Sequence, residues 1–176
     1  MIPINTIKTG DTLLVSSKSL LAKLIQKFQK IQNKEAGKWN HAAMFWWGYD
    51  ELFVIEADKR GICITPFKDY SESNRELLLL VPKFEVDGVK YGSFMLPYCG
   101  HTRYDKFNLL IAQSVKILTF GKVWLGERKQ KDNKFICGEW VAFVYNHFNN
   151  DMFTKSQKIA PIDLYLNDNF HHIILK

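Results

Sequence analysis

Two strand-like segments joined by a tight turn constrain the fold of this chain more than any other feature of its sequence. Residues 41–47 and 52–57 are rich in aromatic and β-branched side chains, which favour strands, and they flank the turn-forming sequence GYDE at 48–51. Runs of this kind on both sides of a glycine-containing turn are typical of a β-hairpin. We therefore expect the two segments to pair in an antiparallel manner.

The register of this hairpin decides which side chains share a face. With a loop of two or four residues, the numbers of paired residues sum to 99, which places Ala43 opposite Glu56 and His41 opposite Asp58. Alternate residues of a strand point to the same face, so His41, Glu56 and Asp58 are expected together, with diagonal Cα atoms about 7–8 Å apart. A loop of five residues would reverse the parity and put Glu56 on the opposite face from His41.

Apolar periodicity along the rest of the chain predicts strands mixed with segregated helices, which is the pattern of the α+β class. The hydrophobic fraction of 47% suits a buried core, and no repeat or linker divides the sequence, so residues 1–176 are expected to form a single domain. Further strands are expected at 12–15, 62–64, 77–81 and 170–175, and helices at 19–33, 104–118, 137–148 and 161–166.

The net charge of +6 comes almost entirely from lysine, since only four of the 24 basic residues are arginines. Arginine is the usual reader of phosphates and base edges, so no nucleic-acid partner is expected. The basic amphipathic helix 19–33 fits either packing on the core or peripheral contact with a membrane. No stretch approaches the roughly 18 apolar residues of a membrane span, and the N-terminus lacks a signal-peptide pattern, so a cytoplasmic location is expected.

The three cysteines differ in their sequence surroundings. They form no C-x-x-C pair, so neither a disulfide framework nor a four-cysteine zinc site is expected. Cys137 stands at the start of an apolar-periodic helix, where free backbone N–H groups and the helix dipole favour a thiolate. Cys63 in a strand and Cys99 in a loop are expected to be structural. For Cys137 the alternative is a buried cysteine that acts as a small hydrophobe.

A nucleophilic cysteine needs a general base, and the base needs an acceptor that orients it. His41 and Glu56, on one face of the hairpin, are the candidates for these two roles. The other histidines considered as ligands, His101 and the pair at 171–172, have no acidic partner at metal-site spacing, so neither a metal nor another cofactor is expected.

Six short motifs, in their order along the chain, resemble those of the circularly permuted papain-like hydrolases of the NlpC superfamily, specifically the YiiX-like branch. The order is distinctive, because histidine comes first, the acid follows 15 residues later and cysteine lies far downstream, which is the reverse of the papain order. The motifs are GDTLL at 10–14, WNHAAMF at 39–45, VIEA at 54–57, GICITP at 61–66, YD at 104–105 and FICGEWV at 135–141.

The resemblance implies a papain-like α+β fold in which a small antiparallel sheet or half-barrel packs on helices. It also implies roles for four residues: Cys137 as nucleophile, His41 as general base, Glu56 as the residue that orients the base, and Tyr104 as a tyrosine whose hydroxyl donates to the oxyanion. One departure is Gly138, where the family usually has serine after the cysteine. The segment around Cys137 is also similar to lecithin:retinol acyltransferase-like proteins.

The function implied by this resemblance is a cysteine-dependent amidase or peptidase that forms a thioester acyl-enzyme. Its substrate is expected to be a peptidoglycan peptide or a lipid-linked amide. One alternative is a lipid acyltransferase or esterase that uses helix 19–33 at a membrane surface, and another is a non-catalytic binding module with a lysine-rich face. The aromatic residues Phe45, Trp46 and Trp47 fit either an acyl-chain groove or, as the more common arrangement, a packed core.

Overall fold

A six-stranded antiparallel sheet forms the centre of the protein, with strand order β4-β3-β2-β1-β5-β8. The computed structural model describes residues 3–18, 23, 26–27, 29–30, 33–101, 103–104, 134–149, 152–153 and 159–176, with the backbone alone at 103, 104 and 134. The strands of this sheet are β1 (Thr12–Ser16), β2 (His41–Gly48), β3 (Glu51–Asp58), β4 (Gly61–Pro66), β5 (Glu76–Pro82) and β8 (Phe170–Ile174).

Helices and a second, small sheet accompany the central sheet. Strands β6 (Arg103–Tyr104) and β7 (Lys134–Phe135) pair in parallel with each other. The helices are α1 (Lys68–Ser71), α2 (Gly88–Met95), α3 (Cys137–Phe148) and α4 (Pro161–Tyr165), and short 3-10 turns occur at Ile4–Thr6, Ala36–Lys38 and Leu96–Tyr98. The protein is thus a mixed fold of antiparallel sheet and helices, as the sequence predicts.

The hairpin of β2 and β3 has the even loop length that the sequence analysis considered. Tyr49 and Asp50 form a two-residue turn with φ values of 52° and 62°. Two positive φ values suit the right-handed twist of the flanking strands. The register runs from Ala43 opposite Glu56 to Gly48 opposite Glu51, which confirms the predicted parity.

The central sheet buries both of its faces. On one face, α3 packs against β2 and β3, and the Trp140 indole donates to the carbonyl of Ile55 at 3.2 Å. On the other face, Phe45 and Val54 pack with Phe67 from the segment between β4 and α1. The predicted strand 77–81 is buried on both sides, because alternate residues of β5 belong to the two different core clusters. This packing fixes the start of α3 beside the start of β2.

Two sequence-based expectations need correction or completion. The helix expected from residue 104 is wrong at its start, since Tyr104 lies in β6; residues 105–118 fall outside the described part of the chain. Helix α2 was not predicted, although Asp87 caps it by accepting from the backbone N–H groups of Val89 and Lys90, both at 3.1 Å. Of the helix expected at 19–33, the described residues 23, 26, 27, 29 and 30 are helical, whereas residue 33 is not.

Within the described residues, no helix is both long enough and apolar enough to cross a membrane.

Candidate functional site

His41 and Glu56 meet at the centre of the candidate site. His41 is the first residue of β2, and Glu56 lies on β3 opposite Ala43, so the two are diagonal neighbours on one face. The His41 Nε2 and the Glu56 Oε2 are 2.6 Å apart. The Glu56 side chain is only 4% exposed, whereas that of His41 is 22% exposed. The structure therefore brings together the imidazole and carboxylate that hairpin parity predicted.

Two hydroxyl groups complete the surroundings of Glu56. The Thr65 hydroxyl donates to Oε1 and the Tyr70 hydroxyl donates to Oε2, both at 2.6 Å. Burial by itself raises the pKa of Glu56, but the bond and charge of His41 and the two hydroxyl donors outweigh it and lower this pKa to about 2. Glu56 is thus a buried carboxylate that stays ionised at neutral pH.

Cys137 contacts His41 from the other side of the imidazole. It is the first residue of α3, it is buried, and its side chain lies close enough to His41 to raise the pKa of the imidazole. Since Glu56 engages Nε2, the nitrogen left for the sulfur is Nδ1. Burial by itself lowers the pKa of His41, but its bonds to Cys137 and Glu56 and their charges outweigh burial and raise this pKa to about 10. Cys137, His41 and Glu56 therefore lie next to one another, with a direct hydrogen bond between His41 and Glu56.

The start of α3 is held in place by its own capping interactions. The Glu139 carboxylate accepts from the backbone N–H of Ile136 at 3.2 Å. This bond ties the third residue of the helix to the residue that precedes the helix. The backbone N–H of Trp140 donates to the carbonyl of Ile136 at 3.0 Å and closes the first turn of the helix. Cys137 therefore sits in a capped first turn, at the helix end whose backbone N–H groups have no partner within the helix itself.

Gly138 owes its identity to a close backbone approach. A Cβ atom at this position would lie 2.3 Å from the carbonyl oxygen of Ile159 and 3.0 Å from backbone atoms of Ala160. Any side chain, including the serine that the family resemblance leads one to expect, would collide with this segment. The glycine after the nucleophile candidate is therefore a packing requirement of this chain.

The remaining candidates from the sequence are placed differently. Tyr104 lies on β6 opposite Phe135, two residues before Cys137, so its backbone is close to the site; its side chain is outside the described part of the chain. The Asp58 carboxylate turns to Arg60, whose Nε donates to it at 2.8 Å, and does not join His41. The role expected for Tyr104 stays a prediction.

The other two thiols are poorly suited to nucleophilic chemistry. Burial, followed by the charges of Glu56 and Asp58, raises the pKa of Cys63 to about 12. Burial raises the pKa of Cys99 to about 11. With these pKa values, both thiols are almost fully protonated near neutral pH. Since the thiolate is the nucleophile, they are unreactive there.

Thr65 and Tyr70 are the site residues that the sequence analysis missed. Thr65 was within reach of the same reasoning, because Glu56 pairs with Cys63 in the next hairpin and Thr65 is then a diagonal neighbour on the same face. Tyr70 comes from the short helix α1, for which the sequence carries no clear periodic signal. Its hydroxyl reaches Glu56 only through the tertiary packing of α1.

The aromatic stretch of β2 divides between core and surface. Phe45 is fully buried, whereas Trp46 and Trp47 line a groove of about 720 Å³ together with Ile7, Lys8, Val89, Leu96 and others. A strand rises about 3.3 Å per residue, so Trp46 lies roughly 16 Å along β2 from His41. This groove is at the opposite end of the strand from Cys137.

Comparisons with known proteins show a likeness in fold to a solved structure. No known family model matches the sequence, and no curated protein matches it. Among solved structures, the chain is similar to the crystal structure of the metalloprotein yiiX from Escherichia coli O157:H7, DUF1105, with a TM-score of 0.65 and 16% identity. The match covers 95% of this chain and 96% of that one. At this identity the likeness shows a shared fold, the YiiX-like fold that the sequence motifs resemble.

A candidate metal cluster lies beside the site but does not fit a metal ion. Glu56, Asp58 and Cys63 bring their ligand atoms within 4.8 Å of one another. Both oxygens of Glu56 already accept hydrogen bonds, and the Arg60 guanidinium contacts Asp58 at 2.8 Å and the Cys63 sulfur at 3.2 Å. Burial and the neighbouring carboxylates raise the pKa of Cys63 to about 12, so a metal ion would have to displace a tightly held proton. The guanidinium is the cation of this cluster.

Proposed function

We propose that this chain is a cysteine-dependent amidase or peptidase with a circularly permuted papain-like fold. The observation that carries the proposal is the grouping of Cys137, His41 and Glu56 at the start of a helix, with His41 hydrogen-bonded to Glu56 and next to Cys137. A thiol, a base and an oriented acceptor in this order are the groups that nucleophilic catalysis needs. The motif order along the sequence supports the same assignment.

The first half of the reaction builds a thioester. Cys137 gives its proton to His41, and the thiolate attacks the carbonyl carbon of the amide to form a tetrahedral oxyanion. The backbone N–H of Cys137 and a second donor, for which Tyr104 is the candidate, stabilise this oxyanion, a contribution of about 3 kcal/mol for each donor. As the intermediate collapses, the C–N bond breaks and His41 returns the proton to the leaving amine.

The second half consumes water. His41, now neutral, takes a proton from a water molecule, whose oxygen attacks the thioester carbon. The C–S bond breaks, the acid product leaves, and the proton on His41 restores the thiol of Cys137. Glu56 keeps the imidazole in one orientation throughout and stabilises the imidazolium that forms twice in each cycle.

The substrate class follows from the family resemblance: a peptidoglycan peptide or a lipid-linked amide. The groove at Trp46 and Trp47 lies roughly 16 Å along β2 from His41, so the acyl carbons next to the scissile amide cannot occupy it. Those carbons would lie around the start of α3. The cytoplasmic location and a membrane contact through residues 19–33 stay predictions.

A thiol-reactive probe tests the proposal. We expect an iodoacetamide or acyl-electrophile probe to label Cys137 selectively at neutral pH, since the other two thiols are protonated. Labelling should persist in Cys63→Ala and Cys99→Ala, disappear in Cys137→Ala and fall strongly in His41→Ala. Competition by peptidoglycan fragments or N-acyl amides then identifies the substrate class. Equal labelling of all three cysteines, or full labelling in His41→Ala, would contradict the proposal.

Acyl transfer is the catalytic alternative, and it shares the thioester with hydrolysis. It differs only in the acceptor, which would be a lipid amine or hydroxyl in place of water. Product analysis with and without such an acceptor separates the two. A protein with no selective probe labelling at all would favour the non-catalytic binding module.

A further inference from the structure

We propose that Thr65 and Tyr70 are positioning residues of this site, which hold Glu56 as an oriented carboxylate so that the base has a permanently charged partner. The inference rests on the proposed function, and it adds a support that neither the sequence motifs nor the comparisons assign. It starts from the number and kind of groups that face the Glu56 carboxylate.

Three donors and no acceptor converge on this carboxylate among the described residues. His41 Nε2 and the Tyr70 hydroxyl share Oε2, and the Thr65 hydroxyl takes Oε1, each at 2.6 Å. A carboxylate is acceptor-only when ionised, so it satisfies all three donors at once. A glutamine would place its NH₂ group at one of the two oxygen positions, so at least one of the three donors would lose its acceptor, and the negative charge that faces His41 would be lost. Residue 56 is therefore better suited to glutamate than to glutamine.

Each hydroxyl is itself fixed by a second contact. The Thr65 hydroxyl receives a weak bond from the Arg60 guanidinium at 3.4 Å, and Arg60 is anchored on Asp58. The Tyr70 ring is 4% exposed, and the Arg75 guanidinium lies over it at 5.1 Å. The two hydroxyls therefore approach Glu56 from two different elements, β4 and α1, and prevent rotation of its carboxylate. Such outer contacts keep a catalytic imidazole in its working orientation.

The charges around Glu56 explain in which direction its pKa moves when one of these donors is lost. Removing a hydroxyl donor leaves a buried carboxylate oxygen with one partner fewer, which favours its protonation. A protonated Glu56 no longer stabilises imidazolium at His41. The titratable or charged groups that face Glu56 from the packed elements are His41 on β2, Asp58 and Arg60 at the β3–β4 turn, Cys63 on β4, Tyr70 on α1 and Arg75 beyond it.

Two nearly isosteric substitutions test the proposal in the full chain. Tyr70→Phe keeps the buried ring, and Thr65→Val keeps the side-chain volume, while each removes one hydroxyl donor. The readout is the carbon-13 shift of the Glu56 carboxyl followed against pH, together with the pH profile of iodoacetamide labelling of Cys137. We expect the Glu56 titration and the acid limb of labelling to move upward by about one pH unit in each variant.

Matched controls separate positioning from general loss of structure. Thr65→Ser retains the hydroxyl and should restore the wild-type profile. Tyr91→Phe also removes a tyrosine hydroxyl, but that group bonds Asn149 at 3.5 Å and lies away from Glu56, so it should leave both curves unchanged. The double variant should shift further than either single variant.

The outcomes distinguish this inference from the proposed function. If the Glu56 titration stays in place in both variants, Thr65 and Tyr70 do not position it, however reactive Cys137 is. If labelling falls equally at every pH without a shift of the limb, the two residues are merely structural and the inference is wrong. If the Glu56 titration shifts but Cys137 is never labelled selectively, the support of Glu56 stands and the hydrolase proposal fails.

Discussion

Replacing Gly138 by alanine tests the close approach of two backbone segments at the nucleophile candidate. The new Cβ would lie 2.3 Å from the Ile159 carbonyl oxygen, whereas ordinary van der Waals contact begins at 3.4 Å. The carbonyl or the helix start must therefore move by about 1 Å. Overpacking of this kind typically costs about 1–3 kcal/mol.

Helix propensity acts in the opposite direction and must be subtracted. A displacement near 1 Å places the overpacking cost in the upper part of that range, at about 2–3 kcal/mol. Alanine is favoured over glycine by up to about 1 kcal/mol in a helix, so the expected net loss for Gly138→Ala is about 1–2 kcal/mol. Gly88→Ala is the matched control, because Gly88 also opens a helix but its new Cβ would lie 3.1 Å from the Thr9 Cβ. A shift of a few tenths of an ångström relieves that contact. We expect this control to be neutral or slightly stabilising.

Urea unfolding and probe labelling measure the two consequences. The midpoint of Gly138→Ala should fall relative to both wild type and Gly88→Ala. Labelling of Cys137 should slow by about tenfold or more, because a misplacement near 1 Å of a reacting group is costly. A Gly138→Ala protein with wild-type stability and labelling would show that the Ile159 segment does not press on the helix start.

Three further predictions concern buried polar groups. The pKa of Glu56 is lowered from 4.5 to about 2, so its ionised form stabilises the fold above pH 4.5, and this contribution is lost as the pH falls toward 2. In Glu56→Gln, the urea midpoint should therefore depend less on pH across this acid range than it does in the wild type. Burial raises the pKa of Asp11 to about 6, so ionisation of this carboxyl at neutral pH destabilises the fold. Asp11→Asn should therefore raise the free energy of unfolding by about 1–3 kcal/mol at pH 7.5 and leave it unchanged at pH 3.5. An equal gain at both pH values would contradict this. Tyr145→Phe should lower the free energy of unfolding by about 1–3 kcal/mol in thermal unfolding, because the Gly10 carbonyl loses its hydroxyl donor at 2.7 Å. A smaller loss than that of Tyr91→Phe would count against this prediction.

The part of the site that depends on local geometry could be predicted from the sequence. His41 and Glu56 are joined by a two-residue turn, so strand periodicity and turn length together determine that they share a face. The start of α3 at Cys137 was equally accessible, because apolar residues recur at helical spacing after it. In both cases the signal lies within about 16 residues of sequence.

The features that escaped prediction depend on segments far apart in the chain. Tyr70 reaches Glu56 only because α1 folds back under the sheet, and Gly138 is required only because residues 159–160 cross the helix start. Helix α2 begins with glycine and has few residues of high helix propensity, so its cap at Asp87 was the only local signal. Strand β6 is two residues long, too short for a period to be recognised.

The charges around His41 explain why its raised pKa is compatible with the role of general base proposed for it. Glu56 is a buried anion held by three donors, and it makes a positive charge on His41 favourable. In the proposed mechanism, His41 is positively charged each time it holds the proton of Cys137, and Glu56 stabilises that charge. The raised pKa of His41 favours its acceptance of this proton, which the leaving amine then takes up. Loss of Glu56 should therefore slow the labelling of Cys137 more than it weakens binding of the substrate.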